Sequence, residues 1–501
     1  MLWRLRASDY SRALRLLLYS RERRRRLVSW HLCRAHRSPR EAPIAQRLAL
    51  RSLTHRNIRS REKLCICKRT GRGMKSVPCT SSIDSTLALL REGYTFISAR
   101  CDELRTDVFR TRLMLRPVLC MRGEEAAQLF YGSDDVTRVG SMPWTVLRLL
   151  QDKHSVQQLD GEMHRQRKKM FIDLAMSDGA VAALIDRFRH HWLAQVDNRE
   201  TGRSDLREVA NLVLTKASAD WIGIPEHSRD DRKLAESLAE MIDNTGSFGP
   251  SAWLALVSRR RTERWLISIV EAVRDGSLVV IDECALKTIC VFYRDADGRA
   301  LSTEAAAVEV LNLLRPIAAI SRWIVFLALA LARNPERQER FRGGHDEEIE
   351  GFVEEVRRLY PFFPFVGAKL RKDLVWQGHP LVKGDWLLLD LYGTTHDPRL
   401  FPQPRVFDPE RGSSWRNEDF RFIPQGGGRP ETSHRCPGEK IIVEILKETL
   451  KLVCRNRPLR ITPADADIPL GSIPASPVPP ISICPRAVSG APPRGLADDR
   501  W

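Results

Sequence analysis

The chain has 501 residues, 43% hydrophobic and 29% charged, which excludes collagen-like, low-complexity and membrane-embedded classes and allows a large buried core. Its formal charge of +18 sits at one end: residues 1–73 carry 21 Lys and Arg against four acids, while the other 428 residues carry 60 bases and 59 acids. A basic segment joined to a neutral body disfavours a globally basic nucleic-acid-binding domain.

Residues 1–73 include Arg23 to Arg26 but no sustained apolar period, so they read as a disordered extension ahead of the fold. Either a dispensable upstream piece or an organelle transit segment fits that composition. Cys65 and Cys67 lack the further ligands a zinc site needs. From Met74 the composition is ordinary. Apolar spacing predicts a helix over Ser81–Glu92, a strand over Val118–Met121 and a helix over Glu124–Tyr131. Helices follow over His164–Met176, Ala180–Asp197, Arg207–Trp221, Leu234–Ile242, Arg260–Arg274 and Thr303–Arg333. Short strands are expected at Phe365–Leu370, Leu374–Gln377 and Trp386–Leu389, set off by turns at Gly378-His379-Pro380 and Lys383-Gly384-Asp385. Residues 74–486 therefore form one mainly α domain with small β-sheets, and 487–501 a flexible tail. Eleven irregularly spaced cysteines, no secretory leader and no run of about 18 apolar residues predict a reduced, cytoplasmic protein without a membrane span.

The most informative stretch runs from Phe422-Ile-Pro-Gln-Gly-Gly-Gly428 through Arg435 to Cys436-Pro437-Gly438-Glu439, ahead of Ile441, Ile442, Ile445 and Leu446. A glycine-rich loop delivers a cysteine to a helix start, where free N–H groups and the helix dipole should acidify the thiol into a metal ligand. Pro437 is expected in the first helical turn. Gly428 and its neighbours would let the backbone approach a flat ligand, and His434 and Arg435 offer positive charge to its carboxylates. Upstream, Glu355-x-x-Arg358 places both charges on one helix face, and Arg411 of Phe407-Asp-Pro-Glu-Arg411 offers the same carboxylate a second arginine. Glu354-x-x-Arg357 satisfies that spacing too.

These residues resemble the cytochrome P450 family, over Met74 to about Ile483. The resemblance implies the P450 fold, haem b with Cys436 as its axial thiolate, and Glu355, Arg358 and Arg411 as a structural set. Glu355 and Arg358 are preferred over the overlapping pair because Leu359-Tyr360-Pro361 follows in the family's register. Phe422 lies fourteen residues before Cys436, twice the usual family spacing, and the long helix has Arg315-Pro316 where most oxygen-activating members keep an acid and a threonine. Both departures resemble the fatty-acid peroxygenase branch.

That resemblance implies Arg315, Pro316 and Gln157 as the catalytic set, and His164, Arg167, His434, Arg435 and Gly428 at the haem. An arginine in an apolar helix also calls for an anion on physical grounds alone, and Pro316 opens the helical hydrogen bonding beside it. The expected partners are a long-chain fatty acid and hydrogen peroxide, without a redox partner or nucleic acid. A carboxylate held by Arg315 would act as the acid-base group for hydroxylation at the α or β carbon. Glutamine at 157 accompanies hydroxylation in the branch, whereas histidine accompanies decarboxylation. Alternatives are a decarboxylase, a hydroperoxide isomerase or lyase, and a non-catalytic haem- or lipid-binding sensor. Phe362-Phe363-Pro364-Phe365 reads as core packing or as a wall of the acyl channel.

Overall fold

Side-chain caps and glycines mark the helix ends in the computed structural model, which describes residues 75–152, 155–197, 202–247, 249–411, 418–456 and 458–485. The extension 1–73, Cys65, Cys67 and the tail 487–501 lie outside the described residues.

The principal sheet has five strands, β1 (Val108–Leu113), β2 (Arg116–Met121), β3 (Val136–Thr137), β4 (Phe365–Leu370) and β5 (Trp386–Asp390), in the order β1-β2-β5-β4-β3. Only β2 and β5 run parallel, with Leu119 opposite Leu387; the other neighbours are antiparallel. All five β5 residues are buried, as expected of a central strand covered on both faces. The expected Leu374–Gln377 strand runs Leu374–Trp376 and pairs with His379–Leu381, which the sequence reading took for a turn.

Eight principal helices complete the frame: α1 (Gly161–Ala175), α2 (Asp178–Asp197), α3 (Leu206–Ile222), α4 (Asp231–Asp243), α5 (Pro250–Asp275), α6 (Thr303–Arg333), α7 (Ile349–Leu359) and α8 (Glu439–Lys451). Asp205 caps α3 by accepting from the Arg207 and Glu208 N–H groups, and Gly223 closes it at φ 95°. Ser302 caps α6 through the Ala305 N–H, and α5 opens on Pro250 after Gly249. The predicted bounds of α6 hold at both ends.

Helix α6 is the axis of the core and packs on α3, α4, α5, α7 and α8. By length and composition it could cross a membrane, with a mean hydropathy of 1.7, but 89% of its apolar window is buried inside the fold. The chain's most apolar helix is thus its central one, and Arg315 and Arg322 break what would otherwise be a longer unbroken apolar run. Phe362 stacks on Trp323 of α6 at 4.6 Å between centroids, so the aromatic run joins the core there.

Candidate active site

The thiolate loop is folded on itself before it reaches α8. Gly428 N–H donates to Asp419 O at 2.7 Å, Ser433 Oγ to Gly427 O at 2.8 Å, and Cys436 N–H to Gln425 O at 3.1 Å. That last bond closes the neck of the extra residues Arg429–Arg435, so the doubled Phe422 to Cys436 spacing is accommodated as a side turn. The glycines serve this folding. A Cβ on Gly427 would lie 2.5 Å from Asp419 O, and one on Gly428, at φ 75°, 3.0 Å from Ser433 Cβ.

One expectation about the Cys436 loop needs correction. Helix α8 begins at Glu439 with Gly438 as N-cap, so Pro437 precedes the helix instead of occupying its first turn. Burial pushes the Cys436 thiol up, against the Gly438 N–H, Lys168 and Arg357.

Lys168 of α1 braces the loop by donating to Ser433 O at 2.6 Å and to Arg435 O. His164, one turn earlier, lies with its ring 4.0 Å from that of His434, centroid to centroid. Burial and the nearby cation Lys168 lower His164 to about 4, and burial with Arg138, His164, Lys168 and Arg371 keeps His434 well below its usual value. Arg138 is buried over the Tyr131 ring and has one unpartnered nitrogen, Nε. The two histidines thus sit in a neighbourhood rich in cations, with Asp160 held by Arg371 at 2.9 Å. Excess buried positive charge of this kind suits an anionic ligand.

Two expected haem contacts have other partners. Arg167 pairs with Glu309 at 2.6 Å and with Asp295, through Nε at 2.9 Å, so carboxylates of the protein engage its fork. Arg435 pairs with Glu439 at 2.7 Å. Both Glu-x-x-Arg pairs form, with different tasks. Arg358 grips both oxygens of Glu355 at 2.7 Å and donates to Thr395, Pro404 and Val406 carbonyls. Arg411 Nε lies 3.5 Å from Glu355. Arg357 instead pairs with Glu354 at 2.5 Å and reaches Gln425 and Glu439, tying α7 to both ends of the thiolate loop. That role was visible in the sequence as the rejected register; the bracing role of Lys168 had no signal beyond its place after Arg167.

On α6, Arg315 is buried. Its NH2 donates to Leu150 O and to Asn312 Oδ1 at 2.9 Å, while NH1 has no partner. Among the described residues no carboxylate lies within ion-pair distance of it, and burial, with Arg259 nearby, drives its pKa well down. Pro316 is exposed on a helix buried almost throughout, so open space lies beside it. The helix runs through Pro316 unbroken. Gln157 lies in a short 3-10 turn, Val156–Gln158, and its Oε1 is also buried without a partner.

A helical frame with small sheets, a half-buried cysteine on a braced loop, a cation-rich wall and open space beside a core helix fit the haem-thiolate class of proteins, and the donor set fits a dianionic, thiolate-ligated macrocycle. The family model "Cytochrome P450" matches residues 347–456. Structurally, the chain is similar to cytochrome P450EX alpha, solved with myristic acid, at 34% identity and a TM-score of 0.77, covering 82% of this chain and 98% of that one. It is also similar to cytochrome P450SP alpha, solved with (R)-ibuprophen, at 35% identity and 0.75, over 80% and 98%. A cytochrome P450 OleT variant, solved with arachidonic acid, gives 30% and 0.79, over 83% and 100%. Among curated proteins, the taurochenodeoxycholic 6 alpha-hydroxylase of Sus scrofa is 29% identical over 214 residues, 37% of this chain and 40% of that protein. The chain thus spans about two fifths of the length of such curated relatives.

The chain belongs to the cytochrome P450 family, an oxidoreductase family whose members bind haem b through an axial cysteine thiolate. Its solved neighbours P450EX alpha and P450SP alpha are of the CYP152 group.

Proposed function

We propose that this chain hydroxylates long-chain fatty acids at the α or β carbon with hydrogen peroxide as oxidant and without a redox partner. The carrying observation is Arg315: a buried guanidinium with two carbonyl-type acceptors and one unpartnered nitrogen, followed by Pro316 at open space. An unpaired buried cation is costly, and a guest carboxylate relieves that cost through charge-assisted hydrogen bonds. Haem, when bound on Cys436, supplies the iron chemistry that activates peroxide. Arg315 fixes the substrate's carboxylate, and that carboxylate takes and returns the proton which most P450s move with an acid and a threonine of their own. Pro316 keeps a side-chain donor from the next position, and the unpartnered Gln157 Oε1 supplies a neutral polar contact. Lys168 and Arg138 supply the positive charge for the haem carboxylates, and the neutral His164 and His434 rings supply N–H donors. The fatty acids named with P450EX alpha and OleT support this substrate class. Glutamine at 157 favours hydroxylation over decarboxylation, and Arg315 argues against hydroperoxide rearrangement, which needs no carboxylate to move a proton.

Arg315→Ala tests the reading. The haem-bound variant should lose most peroxide-driven turnover even at saturating fatty acid, a fall in kcat as well as a rise in KM. A raised KM with the wild-type kcat would show that the carboxylate only anchors the substrate.

A further inference from the structure

Glu309 is a fully buried carboxylate in the second turn of α6, six residues before Arg315. Such a group persists only when its acceptor sites are filled, and three elements fill them. Arg167 of α1 donates to Oε1 at 2.6 Å, and the Val156 N–H donates to the same oxygen at 3.1 Å. Asn312 Nδ2 donates to Oε2 at 2.7 Å. Because that amide nitrogen must face Glu309, the amide oxygen faces the other way, where it accepts from Arg315 NH2. Val156 in turn begins the 3-10 turn that holds Gln157. One carboxylate is therefore bonded, at one remove each, to the two side chains whose NH1 and Oε1 are left buried without partners.

The charges are arranged to match. Arg167, shared with Asp295, neutralises Glu309, and Glu309 touches Arg315 only through a neutral amide. A direct Glu309 to Arg315 pair would quench the charge that an incoming carboxylate needs. The interposed Asn312 transmits orientation without doing so.

We propose that Glu309 is the positioning residue of the carboxylate site, aiming Arg315 through Asn312 and Gln157 through Val156, with Arg167 as its counter-ion. This rests on the reading of Arg315 as the carboxylate anchor. Glu309→Gln turns one acceptor oxygen into an N–H donor, so that side chain and Asn312 can no longer both keep their bonds.

The test compares equilibrium binding, by calorimetry on the haem-bound protein, of a saturated fatty acid and the primary alcohol of equal chain length. Wild type should prefer the acid, and Arg315→Ala should lose the preference. Glu309→Gln should cut it about tenfold, as expected for losing one well-placed hydrogen bond to a charged group, while alcohol binding stays unchanged. Asn312→Leu, which leaves the Arg167 to Glu309 pair intact, should do the same and serves if Glu309→Gln folds poorly. Adding Glu309→Gln to Arg315→Ala should cost nothing further. Glu309→Gln and Asn312→Leu proteins that keep the full acid preference would overturn the positioning role. A wild type with no acid preference would instead overturn the anchor reading itself.

Discussion

Arg315 and Arg358 are both buried guanidinium groups on helices, yet their surroundings assign them opposite tasks. Arg358 has both carboxylate oxygens of Glu355 and three backbone carbonyls, so nothing on it is left for a ligand. Glu355→Ala leaves that cation unpaired and should destabilise the fold by about 3–5 kcal/mol, read from urea unfolding. Arg315 keeps one nitrogen free. Arg315→Lys should recover only part of the activity lost in Arg315→Ala, because a point charge lacks the planar fork; full recovery would show that charge alone suffices. Cys436→Ala should abolish the thiolate-type absorption of the carbon monoxide complex, since no other described cysteine sits on the loop that Lys168 and Arg357 brace.

Among the elements, the long helices were legible because their apolar spacing runs for several turns, as in Thr303–Arg333. The hairpin strand Val108–Leu113 was not, since its Arg110, Thr111 and Arg112 hide the strand pattern and only pairing with β2 commits it. The preferred Glu355 and Arg358 register found the pair that locks α7 to residues 395–411. The overlapping Glu354 and Arg357 pair does the work nearest the thiolate loop, a division that spacing cannot show because both fit it. Arg357→Leu should therefore speed haem loss to an apo-myoglobin acceptor more than Arg358→Leu does, relative to each variant's unfolding midpoint. At the end of β5, Asp390 accepts from the Gly393 N–H at 2.6 Å and from Ser98. Burial raises its pKa to about 6, against those hydrogen bonds, so the folded state binds a proton more readily than the unfolded chain. Its contribution is present below about pH 4 and lost as pH rises through 6, by up to about 3 kcal/mol. Asp390→Asn should flatten that part of the pH–stability curve; an unchanged slope would contradict the assignment.

Across the whole molecule, Cys436, Arg315 and Glu355 are legible in the sequence as candidates because each sits in a local pattern with a chemical reason behind it; the sequence alone does less for their neighbours. It did not foresee the protein partners of Arg167 and Arg435. Their partners, Asp295, Glu309 and Glu439, are fixed by folding, and a basic residue near a site does not reveal which acid will reach it first. The concentration of charge in residues 1–73, with every candidate site residue beyond them, predicts that deleting that segment leaves haem content and turnover within about twofold of the full chain. In the proposed function the substrate's carboxylate replaces the protein's own proton relay, so that peroxide alone drives hydroxylation. This is tested most directly by incubating the haem-bound protein with a long-chain fatty acid and hydrogen peroxide, with no reductase or nicotinamide present, and identifying the products by mass spectrometry. The expected products are 2- or 3-hydroxy acids, with none from the methyl ester of the same acid. Equal oxidation of acid and ester, or oxidation that appears only when a reductase system is supplied, would contradict it.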